Sequence, residues 1–330
     1  MKQVIYTASP ESEEIHVWQL SEQGDLTLLQ TVNAPGQPQP LAINARQQVL
    51  YAGVKPEFRV AAWKIGPTGM LTWLDEAPLP GSATYISTDR DGDALYIGYY
   101  HDGFVSYGAL DAQGRPSEPT QVISGLEGCH SANINIENNQ LYVPALKQDR
   151  ICVYPLRADK SLDEASVTQI DSAKGAGPRH MAFHPQGHFA YTINELDSTV
   201  MVIALHQDGD HVVQTLATQP EDFTGTPWAA DIHLTPDGKF LYTCDRTSSL
   251  LTIFAVSATG DALTLVGYHP TETQPRGFTL DKTGKFLLAT GQKSHHIAVY
   301  SIDKQSGKLT DLGRHPAGKG PMWAIAHTPE

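Results

Sequence analysis

The sequence predicts an all-β fold, a seven-bladed β-propeller with four antiparallel strands in each blade. Three observations lead there. Short runs rich in Val, Ile, Tyr and Thr recur along the chain without sustained helical periodicity. The chain resembles itself at a nearly constant interval. Its two ends, finally, supply complementary parts of one repeat.

The repeat is read from whole segments. QVIYTASPESEEIHVWQL near the start matches QVLYAGVKPEFRVAAWKI, and the pattern returns as LYIGYYHDGFVSYGAL, LYVPALKQDRICVYPL, AYTINELDSTVMVIAL, LYTCDRTSSLLTIFAV and LLATGQKSHHIAVYSI. The aligned residues Ile5, Leu50, Leu95, Leu141, Ala190, Leu241 and Leu287 stand 45 to 51 positions apart, so seven units fill the 330 residues. Four strands are placed in each; the fourth repeat reads RHMAFHP, FAYTINE, STVMVIAL and VVQTL. The first hairpin turns on Pro185-Gln186-Gly187, matched by Pro236-Asp237-Gly238, Asp91-Gly92 and Thr283-Gly284, where glycine accepts positive φ at little cost. The C-terminal GPMWAIAHTPE matches GPRHMAFHP, a first strand, whereas QVIYTAS matches a second strand. The C-terminal strand therefore joins the three N-terminal ones and closes the ring without a free edge. A single propeller domain over residues 1–330 is expected, and neither the WD dipeptide nor a Gly-Gly kelch signature marks it.

Composition narrows the function. Hydrophobic residues at 40% and charged residues at 18% supply a core and exclude a disordered protein. MKQVIYTASP reads as a strand rather than a signal peptide, and no run approaches the roughly eighteen apolar residues of a membrane span. Cys129, Cys152 and Cys244 are scattered and odd in number, which fits free thiols in a reducing compartment. A soluble cytoplasmic protein is expected, with no membrane partner. The net charge of −13 argues against nucleic-acid binding, which needs a basic face. A small anion is not excluded, because it responds to the local field of its pocket.

The propeller converts repeat positions into neighbours. First strands are innermost and start at one mouth of the central channel, and the loop after each second strand opens on the same face. At the first-strand starts stand Gln39, Thr84, His130, Arg179, Ala230, Arg276 and Met322. The second-strand exits add Lys55, Lys147, Glu195, Arg246 and Lys293. A basic pocket with one histidine and one carboxylate suits a small anion whose chemistry needs proton transfer. His130 alone serves equally well as a hydrogen-bonding wall residue, and Glu195 as a neutralising partner of Arg179 or Arg246; their convergence favours a ligand site. Asp231 and His233, in WAADIHLTPDG, alternate along an inner strand and read as packing and a blade hydrogen bond.

No metal and no cofactor are expected. His180 and His184 have the HxxxH spacing, but residues four apart on a strand are about 13 Å apart, too far to share an ion with bonds of about 2 Å. His184 falls in a turn slot filled elsewhere by Asn44, Asp89, Thr235 or Asp281, and His180 lies beside the ring position. There is no phosphate-cradling glycine loop before a helix and no GxSxG elbow.

With CHSANI, PALKQDRIC, GAGPRHMAFHP, WAADIHLTPDG, CDRT, TQPRGF, GQKSHH and GPMW in view, the whole chain resembles the enterobacterial propeller-type 6-phosphogluconolactonases. The resemblance implies a metal-independent hydrolase of the pentose phosphate pathway acting on a small-molecule phosphosugar lactone, 6-phospho-D-glucono-1,5-lactone. A monomer is compatible with it. A related fungal carboxymuconate lactonizing enzyme implies active-site positions at His130 in CHSANI, Arg179 in GPRHMAF and Glu195 in NEL. Arg276 in QPRGF is taken as the second arginine, with Arg246 in CDRT as its competitor. His130 is then expected to be the general base, Arg179 or Arg276 to stabilise the oxyanion with the other on phosphate or sugar, and Glu195 to orient His130 or an arginine. Lys55, Lys147 and Lys293, with Arg246, are candidates for the 6-phosphate. Two alternatives stand beside this reading: a muconate-type cycloisomerase, and a non-enzymatic propeller whose mouth, near Trp228, Met322 and Trp323, binds a peptide or protein.

Overall fold

The computed structural model describes residues 2–330. It contains seven four-stranded antiparallel sheets, numbered here as blades I to VII by their inner strands. These are Gln37–Asn44, Tyr85–Thr88, Asn133–Ile134, Pro178–Phe183, Ala229–Leu234, Phe278–Leu280 and Trp323–His327. In blades I to VI the four strands follow one another in sequence. In blade VII the C-terminal Trp323–His327 pairs with the N-terminal Gln3–Ser9, with Tyr6 opposite Ile325. The chain thus closes the ring as its terminal repeats require.

Apolar side chains collect between blades rather than in one centre. Among the described residues there are seven buried clusters, each built from the facing sides of two neighbouring blades. The repeated tyrosine has a specific part in this. Tyr6, Tyr51, Tyr191 and Tyr242 each donate their hydroxyl to the carbonyl of a turn glycine in the following blade, Gly69, Gly114, Gly260 and Gly307, at 2.6–2.7 Å. Tyr96 reaches Lys160 O, and Tyr142 reaches the Asp210 carboxylate, both at 2.7 Å. The ring buries as an apolar body while its polar tip finds one partner across the seam, which is why the same residue type recurs at the repeat interval.

The turns after the inner strands are closed by side chains. Asp89 Oδ1 accepts from the backbone N–H of Asp93 and Ala94, and Asp281 Oδ1 accepts from Lys285 and Phe286. His184 holds the same slot in blade IV and accepts from Gln186 N through Nδ1 at 3.3 Å. The slot is a turn device in every case, and it lies at the far end of the inner strands from the mouth.

Candidate active site at the channel mouth

The mouth side is shaped by two carboxylates that fix backbone. Asp149 accepts from Gly175 N at 2.8 Å and Gly177 N at 3.0 Å, holding the segment that leads into Arg179. Gly177 sits at φ 73, and a Cβ there would lie 2.7 Å from Leu196, so only glycine fits. Asp245 accepts from Thr247 N at 2.8 Å and Trp228 N at 2.9 Å, which sets the loop presenting Arg246 against Trp228.

Between these loops lies a cavity of about 250 Å3 lined by Gln39, Thr84, His130 and Arg276 from the inner-strand starts. Glu195, Arg246, Tyr100, His101, Ser82 and Trp228 complete the wall. Glu195 Oε1 accepts from Arg246 Nη2 at 2.6 Å and Arg179 Nε at 3.0 Å. Burial pushes the Glu195 carboxyl up, but Arg179 and Arg246 more than offset this and hold it below the usual range. Arg246 is fixed further by the carbonyls of Trp228 (3.3 Å) and Ala229 (3.1 Å) and stacks 4.1 Å from the Trp228 ring. Arg276 differs: among the described residues its guanidinium has no hydrogen-bond or ion-pair partner. Burial, then repulsion from Arg179 and Arg246, brings it down to about 9, still charged at neutral pH. Two of the three guanidiniums thus share one carboxylate, and the third is left without one.

The expected residues divide into groups. His130, Glu195, Arg246 and Arg276 meet at the cavity wall. Arg179 does not: it is 1% exposed, lies behind Glu195 and donates to Ala230 O. Arg179, expected at the ring of ligand-facing residues, thus stands behind the wall, bonded to Glu195 and Ala230 O. Lys55 is half-buried and held below its usual range, by burial first and then by Arg276, which places it close to that arginine. Lys147 stands 4.9 Å over the ring of Tyr100 and so reaches the rim. Lys293 is exposed and makes no side-chain contact linking it to the wall.

Sequence reading missed the partners of His130. Its Nδ1 lies 3.2 Å from His180 Nε2, His180 Nδ1 lies 2.9 Å from Asp231 Oδ1, and Asp231 Oδ2 lies 3.0 Å from His233 Nε2. Strict strand alternation sets His180 apart from Arg179, but a bulge between Pro178 and His180 breaks the alternation and brings Arg179 Nη1 to 3.4 Å from His180 Nε2. A second bulge between Ala229 and Ile232 lies at Asp231. Asp231 and His233 are therefore more than a blade contact. Burial opposes the Asp231 charge, but His233 and His180 outweigh it and the carboxyl stays ionised far below its usual range. Burial, then Arg179, brings His180 down to about 4; burial, then Arg179, His180, Arg276 and Arg246, keeps His130 well below its usual value. Both imidazoles are neutral at neutral pH. Tyr100 and His101, which occupy the second-strand exit of blade II, were also passed over because that slot carries no formal charge; the aligned segment LYIGYYHDGF marks them.

A ring of seven blades with a cationic, histidine-bearing mouth defines a propeller enzyme built for an anionic small molecule. The chain belongs to the family described as Lactonase, 7-bladed beta-propeller, whose model matches residues 4–326. It is 53% identical over 325 residues to a 6-phosphogluconolactonase of Erwinia tasmaniensis, covering 98% of each chain. A 6-phosphogluconolactonase of Cronobacter sakazakii is 54% identical over 328 residues, again covering 98% of both. In fold, the chain is similar to a periplasmic gluconolactonase of Pseudomonas aeruginosa with TM-score 0.91 and 24% identity, covering 100% of both chains.

Proposed function

We propose that this protein hydrolyses 6-phospho-D-glucono-1,5-lactone to 6-phospho-D-gluconate, as a cytoplasmic enzyme of the pentose phosphate pathway. The names of relatives at 53% and 54% identity support the substrate. The observation that carries the reading is Arg276, a charged group at the cavity wall that lacks a protein partner and stands beside His130.

The chemistry follows from the wall. His130 Nε2, the ring nitrogen left free by its contact with His180, takes a proton from water as the water oxygen bonds to the lactone carbonyl carbon. Negative charge then develops on the carbonyl oxygen. Arg246, fixed beforehand by Glu195 and two carbonyls, is the suited stabiliser, because a preorganised donor needs no rearrangement as charge appears. Collapse breaks the bond from carbonyl carbon to ring oxygen, and the His130 imidazolium returns its proton to that oxygen. The carboxylic acid formed ionises to water. The phosphate, charged throughout, is assigned to Arg276 with Lys55, since an unpaired guanidinium forks onto phosphate oxygens.

The test is lactone disappearance above the spontaneous rate, with phosphorylated and unphosphorylated gluconolactone. Turnover of the phosphorylated lactone is expected to be faster, and Arg276→Ala to raise its KM roughly 10- to 100-fold, the loss of a charged hydrogen bond. A rate equal to buffer alone rejects the reading.

A further inference from the structure

We propose that His180 and Asp231 are positioning residues that fix His130 in the tautomer with a protonated Nδ1 and an open Nε2 facing the mouth. The inference rests on His130 being the base of the reaction above, and goes beyond it by assigning what sets the base.

Three residues determine the protons one after another. Asp231, ionised, has no proton to give, so the 2.9 Å contact requires His180 Nδ1 to be the donor. Arg179 has no acceptor atom, so its Nη1 at 3.4 Å requires His180 Nε2 to be unprotonated. Both ends of the same imidazole thus specify one neutral tautomer. His130 Nδ1, 3.2 Å from that unprotonated nitrogen, must then carry the proton. The lone pair of His130 is left on Nε2, where a water in the mouth can use it. If His180 carried its proton on Nε2 instead, His130 would be forced into the opposite tautomer, its one lone pair on Nδ1 spent on His180 and none left facing the mouth.

Asp231 is itself held. Its Oδ1 accepts from Ile232 N at 3.0 Å, and its Oδ2 from His233 Nε2 at 3.0 Å and Phe278 N at 3.3 Å. Every group around it is a donor, so it is the end of the chain of hydrogen bonds, an anchor rather than a passage. It also sets one negative charge two links from His130, where transient protonation occurs among three guanidiniums. The four links come from blades III, IV, V and VI, so only the assembled ring forms the device. The rings of Tyr85, His180 and Trp323 pack together, with centroids 5.2–6.0 Å apart, and fix the plane of His180 from below.

The test combines kinetics with 15N NMR of the histidine rings in the full-length protein. In the wild type the His130 ring should show a protonated Nδ1 and an unprotonated Nε2. Asp231→Asn presents an amide N–H2 to two of the four donors around that side chain and so disturbs the tautomers. It should lower kcat by about 10²-fold or more, the scale of a positioned base, with KM unchanged and His130 signals shifted. His180→Leu should do the same, and His180→Gln, whose amide oxygen still accepts from His130 Nδ1, should recover part of the loss. Wild-type kcat in folded Asp231→Asn and His180→Leu overturns the proposal, as does an Nε2-protonated His130 in the resting wild type. If the wild type does not hydrolyse the lactone, the function falls, but the NMR arm still decides the tautomer.

Discussion

Two cavities of nearly equal size sit end to end along the propeller axis, about 250 Å3 at the mouth and about 260 Å3 beneath it. Inner strands contribute to both walls. The upper one takes the residues where those strands begin, the lower one takes residues a few positions further on: Leu41, Ile43, Ile86, Thr279 and Ile325 among them. The upper wall carries Arg246, Arg276, Glu195 and His130, and the lower is largely apolar, with Asp231 and His233 as its ionisable pair. The fold supplies such cavities by geometry alone. Chemistry enters where the repeat is least regular, at strand starts and bulges, and the Tyr85–His180–Trp323 cluster separates the two levels.

The two levels are told apart most directly by substituting one residue on each. His130→Ala is expected to lower kcat by roughly 10² to 10⁴-fold, the range for loss of a general base, measured on protein that remains folded. Ile86→Val, in the lower wall, should cost about 0.5–1.5 kcal/mol of stability and leave buffer-corrected kcat/KM as it was. Equal activity losses in the two variants would show that the cavities are one functional unit.

A smaller effect separates charge from hydrogen bonding within the mouth. A single oxygen, Glu195 Oε1, accepts from both Arg179 and Arg246. Glu195→Ala leaves the buried Arg179 without its counter-charge, and urea unfolding should show a loss of about 3–5 kcal/mol, as for a buried pair broken on one side. Glu195→Gln keeps an oxygen for both bonds and should lose distinctly less. No loss in either variant would mean that the arginines are held by the carbonyls of Trp228, Ala229 and Ala230.

The contrast between levels also explains what was legible in the sequence. Repeat spacing and turn residues require four-stranded units and ring closure, because every blade must bury the same faces. Aligning the units brought His130, Arg276, Glu195 and Arg246 to one mouth for the same reason. His180 and Asp231 escaped because period-two alternation cannot register a bulge, and both lie at one: the register shifts at Pro178/His180 and at Ala229/Ile232. Arg179 stands at its strand start, but its long side chain turns behind Glu195 instead of into the cavity, a depth that repeat position does not encode. The loop lysines were the least legible. Their reach depends on side-chain and loop paths that no repeat fixes, and Lys293 stays away from the wall.

The last effects are those of pH, and the same kind of histidine stands at both ends of the axis. His180 lies below the mouth and His327 at the far end of the blade VII strand, where Nε2 donates to Gln48 Oε1 at 2.9 Å. Both are brought down to about 4, by burial first, then by Arg179 for His180 and Lys282 for His327. An unfolded histidine titrates near 6.5. Between about pH 6.5 and 4 the unfolded chain therefore binds protons that the folded chain refuses. The sign is that stability is fully present above pH 6.5 and is lost as pH falls through that window, by at most about 1.4 kcal/mol per pH unit for each group. His327→Gln should flatten the fall in Tm across the window without moving the pH profile of kcat/KM, because that residue has no link to the mouth. The acid limb of kcat/KM belongs instead to His130, which burial and its neighbours Arg179, His180, Arg276 and Arg246 hold well below 6.5. Activity at low substrate should then stay level as pH is lowered through 6.5. A half-maximal point at 6.5 would place His130 in contact with bulk water and remove the electrostatic distinction between the mouth and an ordinary surface loop.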